Sequence, residues 1–340
     1  MLQLCGMLAA IALTALCWGG YGPVLHFGRD AMQSSLRPFV CVGAAYFLIA
    51  VLIPAALLAR WGERGGWTAK GVFWSLLAGV AGSLGALGVI LAIGFGGKPI
   101  YVMPLIFGGA PVVNTLLTAV MNRAFDQLKA PFLAGLLLVV AGAVTVLVFK
   151  PQAAAHAPPP AAAAVESSAA APPTVEKKAE RLVEVLLATV MTLVCWGGYG
   201  PVLHRGQGAM GGSRLRPLLC IGVAYFLIAV LVPLALLVPM GDTGNWRLGG
   251  TLWSLAAGGL GALGALGTIL AFNLGGKPFT VMPVVFGCAP VINTLATLAL
   301  TGTPTTAISP FFLAGMLVVA VGAATVLAFG PRGHAPAKPA

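Results

Sequence analysis

Cys17-Trp18-Gly19-Gly20-Tyr21-Gly22-Pro23-Val24-Leu25-His26 returns, residue for residue, as Cys195 to His204. Outward from it, Ala45 to Leu52 returns as Ala224 to Leu231, and Gly96-Gly97-Lys98-Pro99 as Gly275-Gly276-Lys277-Pro278. Ala110-Pro111-Val112 with Asn114-Thr115-Leu116 returns as Ala289-Pro290-Val291 with Asn293-Thr294-Leu295. The offset grows only from 178 to 180 residues, so one unit occurs twice with two small insertions between the copies.

Each copy divides into five apolar runs, at roughly 4–25, 38–59, 71–95, 99–121 and 131–149, then 183–203, 217–238, 249–274, 278–300 and 310–329. A helix needs about 20 residues to cross a hydrocarbon core, and backbone groups in lipid must bond within their own segment, so these runs read as helices. The fold class is all-α integral membrane, with ten transmembrane helices in two five-helix repeats, 1–150 and 181–330. The Ala/Pro-rich stretch 151–180 reads as a tether without a crossing, and 331–340 as a polar tail.

Five is odd, so a five-span unit starts on one side and ends on the other. A tether that does not cross back predicts that the second repeat is inverted. Loop charges agree with both termini cytoplasmic. Loop 60–70 carries Arg60, Arg64 and Lys70, whereas its mate 239–248 keeps only Arg247. Loop 122–130 carries Arg123 and Lys129, and its mate 301–309 has no Lys or Arg. Arg29 and Arg37 in the first loop are matched by Arg205, Arg214 and Arg216 on the other side. Lys177, Lys178 and Arg181 by the tether run against the rule, beside acidic neighbours.

Composition excludes other classes. Hydrophobic residues make up 59% of the 340 and charged residues 8%, against about 25% charged in soluble domains. The net charge of +11 forms no basic face, so the expected partner is a lipid bilayer and not nucleic acid. The first apolar run reads as a span rather than a signal peptide, because no Lys or Arg precedes it and it returns in mid-chain. Cys5, Cys17, Cys41, Cys195, Cys220 and Cys288 form no C-x-x-C or His/Cys cluster and read as packed thiols; no metal or cofactor is expected. No Ser/His/Asp cluster, H-E-x-x-H or phosphate loop supports an enzyme. All eight acids lie in loops, the tether or span ends, so no central carboxylate suggests proton-coupled cation export.

The fourth span of each copy carries the most informative stripe. Pro104, Phe107, Pro111 and Asn114 share one helical face, as do Pro283, Phe286, Pro290 and Asn293. Interior prolines free carbonyls, so the stripe either lines a cavity or packs a kinked helix whose asparagine bonds a neighbour's backbone. Lys98 and Lys277 stand before a helix-starting proline, where they hold an anion or snorkel to water. His26 and His204 end the first spans, as gates, proton sites or neither. Trp18, Tyr21, Trp196 and Tyr199 suit either stacking on a solute or an aromatic belt. Glycines every three residues, Gly79 to Gly88 and Gly258 to Gly267, suit close helix packing.

Two five-helix units with prolines in each fourth span, the W-G-G-Y-G start and the G-G-K-P…A-P-V-x-N-T segment resemble the drug/metabolite transporter superfamily, loosely its sugar-uptake branch. The resemblance implies alternating-access transport of a small organic solute. It implies a pocket between the halves lined by the first four helices of each, with Trp18, Tyr21, Asn114 and their mates nearest the substrate. The expected function is a secondary transporter or facilitator of a small polar metabolite such as a sugar or nucleotide-sugar, in a bacterial inner membrane. The alternatives are a non-transporting scaffold, which predicts a dry interface between the halves, and a lipid flippase.

Overall fold

The computed structural model describes residues 2–97, 99–149, 175–302 and 308–331. Ten of its helices are long and apolar enough to cross a membrane. They are α1 (Leu2–Met32), α2 (Leu36–Trp61), α3 (Ala69–Gly94), α4 (Pro99–Asn122), α5 (Ala130–Val148), α6 (Val175–Ala209), α7 (Leu215–Leu236), α8 (Leu248–Asn273), α9 (Pro278–Thr301) and α10 (Pro310–Phe329). There is no strand among the described residues. The chain is thus a multi-pass, all-helical membrane protein.

Two helices outrun their apolar sequence. α1 continues through His26, Arg29 and Asp30 to Met32, and α6 begins at Val175, inside the stretch read as tether. Glu and Lys are good helix formers, so helix propagates from the apolar run into them. Residues 151–174 of the tether, the tail from 332 on and Lys98 lie outside the described residues.

The repeated G-G-K-P has a chain-reversing role. Gly96 and Gly275 adopt φ of 98° and 92°, a left-handed turn open to glycine. The following N–H groups, of Gly97 and Gly276, reach back to the carbonyls of Ala92 and Ala271, each at 2.9 Å. These bonds stop α3 and α8, and the proline two residues on starts the next helix.

The helices pair mainly between copies. α1 lies antiparallel to α8: Gly28 touches Ser254 and Gly250, while Gly6 touches Leu274. α1 runs parallel to α9, with Gly19 on Ile292 and Gly22 on Asn293. The equivalent contacts recur for α6, antiparallel to α3 (Gly206 on Ser75, Thr192 on Gly88) and parallel to α4 (Gly197 on Val113, Gly200 on Asn114). α5 and α10 pair antiparallel through Gly135 on Thr325 and Gly142 on Val319. Every such crossing puts glycine against a neighbour, which allows the close approach that dispersion needs between helices in lipid.

α2 and α7 cross antiparallel at the middle, Gly43 on Ala229 and Val230, Gly222 on Ala50 and Val51. Both loosen there into a π-helical stretch, Phe47–Leu52 and Leu227–Leu231. The cause is Pro54 in one and Pro233 in the other, which cannot donate to the carbonyl four residues back, on Ala50 and Ala229.

Candidate functional site

α2 and α7 carry Tyr46 and Tyr225 within two residues of the start of their π stretches, and the two rings stack with centroids 3.7 Å apart and 1° between planes. Against this pair lies a cavity of about 90 Å3. A cavity of this size admits several waters. Drug-sized ligands usually occupy pockets of about 300–1,000 Å3, so this cavity is small beside them.

Its walls come from α1–α4 and α6–α9, with nothing from α5 or α10. α1 supplies Trp18 and Tyr21, and α6 their mates Trp196 and Tyr199. Phe107 of α4 and Phe286 of α9 meet edge to face at 6.3 Å. Trp18 and Tyr199 meet likewise at 5.6 Å. Gly82, Ala86, Gly261 and Ala289 complete the lining, and none of these groups is charged.

The glycine stripes explain how two indoles fit. Gly85 lies where a Cβ would stand 2.2 Å from Trp196, and Gly264 where it would stand 2.2 Å from Trp18. Each indole then donates to a carbonyl one turn away, Trp18 Nε1 to Gly261 and Trp196 Nε1 to Gly82, both at 3.2 Å. Thr14 and Thr192 repeat the device deeper in, donating to the carbonyls of Gly264 and Gly85. Trp18→Phe and Trp196→Phe should therefore each cost about 1 kcal/mol, since each removes one bond of the same kind, and Trp18→Phe the more, because the Gly82 carbonyl keeps Tyr225 Oη as a second donor. Thermal loss of the monodisperse detergent-solubilised protein measures this, and a larger cost for Trp196→Phe would contradict it.

The other sequence-derived candidates lie apart from the cavity. Asn114, two turns beyond Phe107, is buried between helices and donates from Nδ2 to the carbonyl of Pro278 at 2.8 Å. Its Oδ1 faces Gly200 and has no partner among the described residues. Asn293 is half-buried against Gly22. His26 is exposed and pairs with Asp30 at 3.2 Å, one helical turn on. His204 is half-buried, edge-on to Phe272 at 5.2 Å. Lys277 is exposed at the start of α9, its carbonyl accepting from Val281.

Sequence reasoning missed two features. Tyr46 and Tyr225 sit inside a repeated apolar segment, where a tyrosine kept in both copies was the available signal. The second is a pair of ionic latches, one at each end of α2 and α7. At the start of α2, Arg37 Nη2 lies 3.3 Å from Asp242 Oδ1 beyond the end of α7, with the guanidinium over Trp246. Ser34 donates its hydroxyl to the same carboxylate. Past the end of α2, Glu63 accepts from the backbone N–H groups of Arg214 and Leu215 at 2.8 and 3.1 Å and from Ser213 Oγ, so it caps the start of α7. Arg216 stands 3.8 Å from Glu63, over Trp67. With 26 residues at about 1.5 Å each, α2 separates the latches by roughly 39 Å, about a bilayer with its interfaces. The signal was in the sequence: of the eight acids, only Glu63 and Asp242 occupy equivalent positions, 179 residues apart.

No family model matches the chain, and no curated protein matches it. Twelve solved chains match its structure. One, described as "Crystal structure of protein", is 17% identical, with a TM-score of 0.62 over 97% of this chain and 99% of its own. That likeness is one of fold, over essentially the whole length.

Proposed function

We propose that this protein is a secondary transporter or facilitator for a small organic solute, resembling the drug/metabolite transporter superfamily. In this reading its two five-helix units are inverted and exchange conformations to open one central site to alternate faces. The observation that carries it is the central aromatic cavity, built from mated residues of both copies and lying between two latches at opposite ends. Inversion is supported by helix direction: α1 is antiparallel to α8 and parallel to α9, and α6 stands in the same relation to α3 and α4. Loop charges favour cytoplasmic termini, and the bacterial inner membrane remains the proposed location. In this reading the two engaged latches each hold one end of the α2/α7 pair shut, and opening releases one of them at a time.

A non-transporting scaffold would need a dry packed interface between the copies, and the small, mostly aromatic cavity does not separate the two readings; flux does. The test is uptake into proteoliposomes with a panel of sugars, nucleotides, amino acids and organic cations. One class should move. Ala86→Met and Ala289→Met, each filling the cavity from a lining position, should lower that initial rate at least tenfold. No flux of any solute by monodisperse protein would overturn the proposal.

A further inference from the structure

The two ends of the molecule are built from matching helices but carry different charge. At the start of α3, Lys70 and Trp74 lie one turn apart on one face. Arg205, near the end of α6, places its guanidinium over the Trp74 ring, 5.0 Å from the centroid. Two cations, one from each copy, therefore neighbour a single indole. Both are exposed, and among the described residues neither pairs with a carboxylate. The one acid of loops 62–68 and 210–214, Glu63, is already held by Arg214 and Arg216.

At the opposite end the mates of Lys70, Trp74 and Arg205 are Gly249, Trp253 and Phe27. Phe27 stacks on Trp253 with centroids 5.0 Å apart. An uncharged ring thus makes the same contact between helices, so packing does not require the charge of Arg205. Membrane orientation asks for cations in the loops at the Lys70 end, and Arg60, Arg64 and Arg214 supply them. It gives no reason for two unpaired cations on one indole.

The helix face that runs on from Lys70 is apolar. Phe73, Trp74 and Leu77 follow it at spacings of 3, 4 and 7, and Phe73 and Leu77 are exposed. A charged head above an apolar strip about 10 Å long matches an amphiphile rather than a soluble anion.

We propose that Lys70 and Arg205 hold the phosphate of an anionic phospholipid, with its acyl chain along Phe73 and Leu77, at this end of the molecule only. The guanidinium offers paired N–H donors to phosphate oxygens, and the ammonium adds a second charge. A zwitterionic phospholipid such as phosphatidylethanolamine carries its own ammonium beside the phosphate, so it gains less. Lys70 belongs to α3 and Arg205 to α6, so the lipid ties the two helices together beside the contact of Gly206 with Ser75. The site does not depend on which solute crosses the membrane.

The test titrates delipidated full-length protein in detergent with phosphatidylglycerol or phosphatidylethanolamine and counts bound lipid by native mass spectrometry. Phosphatidylglycerol should bind about tenfold more tightly, and Arg205→Phe and Lys70→Gln should each weaken it about fivefold. Arg205→Phe gives this end the ring that the other end carries, which protects the fold. Arg60→Gln removes another arginine that lies over a tryptophan, Trp61, and should change the affinity less than about twofold. Phe27→Arg combined with Gly249→Lys should add a second tight site at the opposite end, where nothing lies within 4 Å of a Cβ at Gly249. Four outcomes would each overturn the site: equal binding of the two lipids, equal losses for Arg60→Gln and Arg205→Phe, no gain from the Phe27→Arg and Gly249→Lys pair, or displacement of phosphatidylglycerol by an equal concentration of inorganic phosphate. All of them read lipid rather than flux, so they leave the transporter reading standing.

Discussion

Gly79→Val or Gly258→Val should leave little folded protein. At Gly79 an added Cβ would stand 2.8 Å from the Ile221 Cα and carbonyl oxygen, and at Gly258 it would stand 2.7 Å from Val42 Cα. These neighbours are backbone, so no rotamer change relieves the overlap; α3 must move off α7, or α8 off α2. Branching at Cβ enlarges the required displacement. Overpacking of a tight core costs about 1–3 kcal/mol and occasionally more, and these sites belong at or above the upper limit. The displacement would also carry Gly82 and Gly261, one turn on, away from the Trp196 and Trp18 indoles that bond them. Gly94→Ala and Gly249→Ala are the controls, because nothing lies within 4 Å of a Cβ at either position. The readout is the monodisperse fraction after solubilisation and its half-loss temperature. A Gly79→Val protein as stable as the parent would contradict the packing described.

The second large effect is conformational. Asp242→Asn and Glu63→Gln should each unfasten one end of the α2/α7 pair. The latch side chains retain 9–14% exposure, so removing one charge leaves its arginine mostly desolvated without a counter-ion. Breaking a buried pair costs about 3–5 kcal/mol, and partial exposure places these near 3. Glu63→Gln loses more than charge, because an amide nitrogen turned toward the Arg214 and Leu215 N–H groups cannot accept from them. About 3 kcal/mol against one closed end shifts the balance toward opening there by roughly a hundredfold. A single cysteine at Ala86, in a background without the native thiols, reports this when an impermeant thiol reagent is applied from each side of proteoliposomes. Asp242→Asn should speed modification from the Asp242 face only, and Glu63→Gln from the opposite face only. Faster modification from the same side in both variants, or in neither, would remove the latches from the mechanism.

Particular residues mark how far the sequence could be read. Trp18, Tyr21, Phe107 and their mates were legible as candidates because aromatic residues repeat at one position in both copies, and all six line the cavity. Asn114 carried the same pattern yet faces the Pro278 carbonyl, since two turns along a helix that crosses others can bring a side chain to a different neighbour. Lys277 repeats with the glycine turn that precedes it, and that turn has a local reason to persist.

The sequence by itself determined the ten helices and the duplication. Helix formation in lipid is local, because each segment satisfies its own backbone, and a repeat is visible without any structure. The tertiary structure alone decided which faces meet. A membrane helix is apolar toward lipid and toward its neighbours, so hydropathy does not separate an inner face from an outer one. The ring of eight aromatics, the glycine that seats each indole, and the bond from Arg37 to a carboxylate 205 residues away all follow from how the helices cross. Those crossings are set by contacts between distant segments, which no single stretch of sequence encodes.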